Sequence, residues 1–332
     1  VIPTRETASD AFREVQTLGA QARQEVSSED FEAFRALKKV SRIAEAAGRL
    51  TLIFSGHPLA WILGGSATAF HLALEAQLNH QVMHGSLDSF GPYSTRYRTW
   101  ALPMRSETWR EAHRLHHAHP SLLGWDPDTQ HPFTRVHPAL PSTRRHRFGP
   151  WVDALFAFEL WAFDYDRLLK KRGLRAPEDA REIRHFLLHL GYHFGATAFL
   201  AEAWGGHGIR TLLALFLASL VRNGVFTSLQ LASSVGETVS TRHALGRPSD
   251  WVRFQIETSK NFHVPVLFRP LVGGLDRHIE HHLFPSLPAR RLHALSERVR
   301  DLSHRAGIRY EEHPSLAASL RSSLQWLAFT KS

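Results

Sequence analysis

LTLIFSGHPLAWILGGSATAFHLALEAQLNHQVMH, residues 50–84, decides the fold. From Leu50 to Leu74 it carries no Asp, Glu, Lys or Arg, so the run is long enough to cross a bilayer. Gly56-His57-Pro58 breaks it near its start, because proline lacks a backbone donor and clashes with the preceding turn. Two arrangements fit. One is a single span at about 55–75. The other is a tight helical hairpin, about 41–56 going in and 58–79 coming out. In the hairpin the first arm is short, because Arg42, Glu45 and Arg49 lie in it. The hairpin keeps both of its ends on one side, and it is the arrangement preferred here. His57-Pro58 then reads as part of the bend.

The stretch ends in His80-Gln-Val-Met-His84, the first of three histidine clusters. The second is His113-Arg-Leu-His116-His117 and the third His278-Ile-Glu-His281-His282. Helical residues three and four apart share a face, so each cluster can aim its imidazoles at one point. Eight nitrogens converging from three segments can enclose more than one metal ion. Imidazole suits iron, copper, nickel and zinc, so spacing alone does not name the metal.

Composition narrows the chemistry. The chain has no cysteine, which excludes disulfides, iron–sulfur clusters and thiolate metal sites. Its net charge of +9 suits an anionic membrane surface, an acidic carrier protein or a phosphate-bearing substrate. No zinc finger, RNP motif or Arg-rich tract points to nucleic acid. Arg5, Asp10, Arg13 and Glu14 interrupt the first thirty residues, which do not read as a signal peptide. No Gly-x-Gly-x-x-Gly opens a helix after a strand, so no nucleotide site is indicated.

Residues 1–40 are polar and helix-compatible. Residues 85–184 are hydrophilic and rich in Arg, His and Pro. Within them Trp151–Leu169 is apolar but interrupted by Asp153, Glu159, Asp164 and Asp166, which reads as an interfacial or core-packed helix. Two apolar stretches follow, His185–Ala201 and Thr211–Val235, parted by a Gly205-Gly206-His207-Gly208 turn. Arg222 interrupts the second, and a charge inside a span needs a partner or a role. Lys and Arg crowd both large polar blocks, whereas the 205–210 turn holds only Arg210. The positive-inside bias therefore puts both blocks, and all three clusters, on the cytoplasmic side.

The three clusters, in this order and flanked by apolar helices, resemble the boxes of membrane fatty acid desaturases of the bacterial acyl-lipid and acyl-CoA type. HQVMHGSLD is similar to the first box, HRLHHAHPSLLGWDPD to the second, and GGLDRHIEHHLFPSLPARRL to the third. AFELWAFDYDRLL and RVRDLSHRAGIRYEE also fit, so the resemblance covers roughly residues 40–325. It implies two iron ions held by His80, His84, His113, His116, His117, His278, His281 and His282. It also implies O2 as co-substrate and removal of hydrogen from an unactivated methylene of a fatty acyl chain. The acyl group would be carried as acyl-CoA, acyl-carrier protein or acyl lipid. No His-Pro-Gly-Gly haem signature or cysteine is present, so electrons are expected from a separate ferredoxin- or cytochrome-type donor.

One position departs from the family. Many relatives place a further histidine after the last membrane helix; aligned by LVRNGVF at 220–226, that position falls near Ser233-Ser234. Glu237 or a water is expected to take its place. The gap keeps open a second outcome at the same site, hydroxylation or oxidative decarboxylation to a terminal alkene. A zinc-binding membrane hydrolase or a non-catalytic scaffold is the rival of another class, disfavoured because zinc seldom needs eight histidines.

The resulting expectation is an all-α integral membrane protein. About four short transmembrane helices, at about 41–79 and 185–236, carry a helical cytoplasmic cap of 80–184 and 237–325 that houses a di-metal site. If bacterial, it sits in the inner membrane. Other histidines read as structural: His185, His189 and His193 as helix packing, and His131, His137 and His146 as a solvated basic loop. His119 reads equally as ligand support or surface. Asp126 and Asp128 either orient box histidines through their free N–H or cap a turn. The nine Trp read as an interfacial belt or as the lining of an acyl tunnel, the belt being preferred.

Overall fold

The computed structural model describes residues 5–90, 101–129, 134–144, 149–171, 173, 179–236, 238–241 and 248–330. Glu237, His131 and His146 lie outside them. Among the described residues the fold is helical apart from one short ladder, in which β1 (Lys260–Phe262) pairs in parallel with β2 (Glu311–His313), and two isolated bridges. This three-residue ladder fastens the C-terminal segment beside the third cluster.

The hairpin at residues 41–79 forms, and its first arm is longer than the sequence suggested. α2 (Ser28–Phe54) starts where the Asp30 carboxylate accepts the Ser27 N–H at 2.9 Å. α3 (Pro58–Met83) starts with proline in its first turn, and the His57 ring caps it by accepting the Leu59 N–H at 3.2 Å. The arms cross at two glycines. A Cβ on Gly48 would meet Gly64 O at 2.8 Å, and one on Gly64 would meet Leu52 Cγ at 2.8 Å. Small residues let two backbones approach closely where apolar burial drives nothing.

The second hairpin runs through α6 (Asp179–His189), a π-helical turn (Leu190–Gly195), α7 (Ala196–Gly205) and α8 (Gly208–Ser234). Gly206, at φ 65°, ends α7 in the left-handed conformation. His207 reaches across to the first hairpin, its Nε2 donating to Leu52 O at 3.1 Å, and Thr211 Oγ1 donates to the same carbonyl at 3.1 Å. The two tight turns therefore meet at one end, and the histidine clusters lie at the other ends of α3 and α8.

α3 and α8 are long and apolar enough to cross a membrane. Large apolar side chains point outward on all four arms, among them Ile43, Ile62, Phe199, Trp204 and Leu213. The charges that interrupt the arms are paired inside. Glu45 accepts from Arg42 at 2.8 Å, Arg49 at 3.2 Å and Tyr192 Oη at 2.7 Å. Glu75 accepts from Lys38 at 2.6 Å and Ser41 at 2.7 Å. Arg222 donates to Glu159 at 2.5 Å and to Ala101 O at 2.9 Å. An ion taken out of water needs such partners.

α5 (Gly149–Lys171) supplies Glu159 and packs Phe158 and Trp161 against Trp109 and Phe226, the core-packed form of that helix. α1 (Arg5–Gln24) lays Ala11, Val15, Leu18 and Ala22 on Val252, Ile279, Leu283 and Val299. It thus shares a core with α9 (Pro248–Glu257), α11 (His278–Leu283) and α12 (Ala289–Arg305).

Candidate metal centre

Each cluster sits on a helix end. His80 and His84 occupy the last turn and C-cap of α3. His113, His116 and His117 lie in α4 (Ser106–Ala118). His278, His281 and His282 belong to α11, in which every residue is buried. This short helix is held from outside: Asn261 Oδ1 accepts the Ile279 N–H at 3.0 Å, and Glu280 accepts from Asn261 at 2.8 Å and from Tyr310 Oη at 2.7 Å. Glu280 therefore anchors the helix and is not among the converging groups.

The eight rings interlock. His281 lies 4.8 Å from His80 and 4.6 Å from His84, centroid to centroid, and His117 lies 4.4 Å from His282. Their donor atoms form two groups, His80, His84, His113 and His281 in one, and His116, His278 and His282 in the other. Within each group the atoms lie within 4.8 Å of one another. His117 stands outside both groups, yet its Nε2 is 3.2 Å from that of His113.

These contacts fit metal binding better than hydrogen bonding. His113 Nε2 lies 2.9 Å from His80 Nε2, 2.8 Å from His84 Nε2 and 3.2 Å from His117 Nε2. One ring nitrogen carries at most one proton, so it cannot satisfy three neighbours. Nitrogens bound about 2.1 Å from a common ion stand roughly 3 Å apart, which matches these separations. His281 Nε2 is buried without a hydrogen-bond partner, as a metal donor would be.

The far sides of the second group's rings are tethered. His116 Nδ1 donates to both Asp126 oxygens at 2.9 and 3.0 Å, His278 Nδ1 to Ser233 O at 3.2 Å, and His282 Nδ1 to Gln255 Oε1 at 2.9 Å. Such bonds fix ring orientation and leave Nε2 free to ligate. Asp126 thus takes the orienting role, while also accepting the Ser121 N–H at 2.6 Å and the Asp128 N–H at 2.8 Å. The turn role and the histidine role coexist. The part played by the Ser233 carbonyl and by Gln255 left no signal in the sequence.

Electrostatics separates the rings. Burial, reinforced by neighbouring imidazoles, holds His113, His117, His278, His281 and His282 well below the ordinary histidine range. These five are neutral and ready to ligate. Burial also lowers His116, but the Asp126 and Asp128 carboxylates outweigh it and raise that ring to about 9.

Among the described residues, the remaining histidines stay out of the centre. His193 Nε2 lies 3.1 Å from Ser219 Oγ, His185 Nε2 lies 3.0 Å from Leu102 O, and His189 stacks on His193. This is helix packing. His119 rests on Trp125 at 5.0 Å, and His137 Nδ1 accepts the Ala139 N–H at 3.0 Å. Ser233 and Ser234 are buried near the second group, and the Ser233 hydroxyl donates to Gln230 O at 3.2 Å. The tryptophans are not one belt. Trp151 and Trp204 are exposed, whereas Trp109 and Trp161 are buried, with Trp109 stacked 6.3 Å from His80.

Comparison with known proteins agrees with this geometry. The fatty acid desaturase family matches residues 56–314, which include all three clusters. An NADPH-dependent stearoyl-CoA 9-desaturase of Mycobacterium tuberculosis is 28% identical over 288 residues, 81% of this chain and 67% of the relative. An sn-1 linoleoyl-lipid 6-desaturase of Synechocystis is 25% identical over 286 residues, 80% of this chain and 79% of the relative. An acyl-lipid (9-3)-desaturase of Physcomitrium patens is 23% identical over 347 residues, 94% of this chain and 61% of the relative.

Proposed function

Because this chain belongs to the fatty acid desaturase family, oxidoreductases that place a double bond in a fatty acyl chain, we propose that it does so with O2 at two iron ions held by its eight box histidines. The observation that carries this reading is the sorting of seven rings into two groups, with His117 on the boundary between them. His80, His84, His113 and His281 would hold one ion and His116, His278 and His282 the other, with His117 completing the set. Iron held there would supply the activation of O2; overall, O2 would leave as two waters after taking two hydrogens from adjacent methylenes, two electrons from a donor and two protons from solvent.

The protein's own part is positioning. Neutral imidazoles keep the bound centre cationic, and the buried aromatic wall of Trp109, Phe158 and Phe226 beside His80 excludes water from its flank. The substrate is an acyl-CoA, acyl-carrier protein or acyl-lipid ester, and the names of the relatives support the first and third. Electrons come from a separate ferredoxin- or cytochrome-type protein. Expression in a host lacking this activity, with mass spectrometry of total fatty acids, tests the reading. A new double bond that requires O2 supports it; unchanged fatty acids with a folded, iron-loaded protein contradict it.

The outward apolar side chains on all four arms support a bundle of four membrane helices, with the cap and metal centre facing the cytoplasm. The chain lacks cysteine, so single cysteines report sidedness cleanly. Ala139→Cys and Arg298→Cys, both at exposed positions, should label from the cytoplasmic face, and Arg210→Cys from the other. Labelling of positions 139 and 298 from opposite faces contradicts this topology.

His116 gives the centre a pH signature. At neutral pH its ring is protonated without metal, because its value is raised to about 9. Metal binding must then expel that proton, so affinity should rise with pH up to about 9. The sign is opposite for His113, His117, His278, His281 and His282. Below the ordinary histidine value near 6.5 the unfolded chain takes up protons that the folded one refuses, so the metal-free protein loses stability in acid. Calorimetric titration with ferrous iron at pH 7, in buffers of differing ionisation enthalpy, should show about one proton released per centre. Release of none would mean that His116 is neutral before binding.

A further inference from the structure

We infer that Gln255 is a positioning residue that locks the third histidine box to the second and holds His282 in its metal-binding tautomer. Its amide is used at both ends. Oε1 accepts from His282 Nδ1 at 2.9 Å, and Nε2 donates to the backbone carbonyl of His117 at 2.9 Å. An amide oxygen only accepts, so His282 must carry its proton on Nδ1. That leaves the Nε2 lone pair facing His278 Nε2, 3.2 Å away, inside the second donor group.

The amide itself is not free to turn. Gln255 is fully buried on α9, between Val252 and Ile256, which pack in the core formed with Ile279 and Leu283 of α11 and Leu18 of α1. A rotation that swapped its oxygen and nitrogen would set an N–H against the His282 N–H and an oxygen against the His117 carbonyl. Both contacts would be repulsive, so the two bonds enforce each other.

Each ring of the second group has a different acceptor: a carboxylate for His116, a main-chain carbonyl for His278 and this neutral amide for His282. Of these three acceptors, only Gln255 joins one box to another, the third to the second. The first group has no such tether on His80, whose Nδ1 is buried without a hydrogen-bond partner. Loss of Gln255 should therefore strip one metal position and spare the other. The expected loss of affinity is about 10–100-fold, the usual effect of removing the group that orients a ligating histidine.

The inference rests on the two-iron reading above, and its test separates the two. Full-length protein in detergent is loaded with ferrous iron; bound iron is counted, its release to a chelator is timed, and its Mössbauer spectrum is recorded. Gln255→Leu, which keeps the bulk and removes both hydrogen bonds, should retain about one iron and lose one quadrupole doublet. Gln255→Glu keeps an acceptor for His282 but sets an oxygen against the His117 carbonyl, so it should recover the second iron in part, with an altered spectrum. The metal-free Leu variant should stay folded with wild-type helical content, with only a modest loss of stability from the two polar groups left unpaired. Two irons in Gln255→Leu, released at the wild-type rate, overturn the inference alone. So does loss of both irons with a lowered melting temperature, since Gln255 would then act through folding. A wild type that takes up no iron overturns the two-iron reading itself.

Discussion

Replacing His113 by alanine should abolish turnover and sharply reduce bound iron. This ring has the most crowded nitrogen of the centre, within 2.8–3.2 Å of those of His80, His84 and His117. No other side chain among the described residues stands ready to take its place. The neighbours would then face one another across a gap, with their lone pairs no longer sharing a cation. Product analysis should find no double bond above the background of the host, and metal analysis should find at least one iron lost. Circular dichroism guards against a trivial cause, since helical content should hold. A His113→Ala protein with wild-type iron and turnover would remove His113 from the ligand set.

The second large effect is expected at Asp126. Asp126→Asn keeps the size of the side chain and removes the charge that His116 Nδ1 meets at 2.9 Å. Weakening the group that orients a ligating histidine typically costs 10–100-fold in metal affinity or activity. The change also has a signature that simple loss of packing lacks. His116 stays protonated because of the Asp126 and Asp128 carboxylates. With Asp126 neutralised, burial pulls the ring back down and the proton released on metal binding should vanish. Unchanged proton release in Asp126→Asn would place the control of His116 elsewhere. The same carboxylate accepts the Ser121 N–H at 2.6 Å, so a modest loss of stability should accompany the effect.

The sequence made the centre legible because its chemistry is local. Spacings of three and four residues put rings on one helix face, and all eight histidines named from them do converge. Gly56-His57-Pro58 and Gly205-Gly206-His207-Gly208 likewise marked both turns of the bundle, because glycine and proline act on their own backbone. What stayed hidden depends on partners far along the chain. The polar segment before residue 40 carries the stripe of Ala11, Val15, Leu18 and Ala22, but a stripe does not say which surface it covers. Lys38 finds Glu75, Arg222 finds Glu159, and Gln255 finds His117 only once the helices are packed. The tryptophans divide between exposed and buried positions for the same reason.

The proposed ligand near Ser234 shows where sequence alone ran short. Aligning with the family suggested a gap to be filled by Glu237 or water, and Glu237 lies outside the described residues. What the structure adds is another use for this stretch of chain, since the Ser233 carbonyl accepts from His278 Nδ1 at 3.2 Å. The main chain at the end of α8 thus serves the centre by holding one of its rings.

Two iron ions are expected to occupy the two groups of histidines. Mössbauer spectroscopy of protein loaded with isotopically enriched iron, with metal counted on the same sample, tests it most directly. About two irons per chain are expected, bound by nitrogen in unequal surroundings, because among the described residues only the second group has a carboxylate-tethered ring. Stoichiometric zinc in catalytically active protein, or iron bound with the boxes unaffected by His113→Ala, would contradict it.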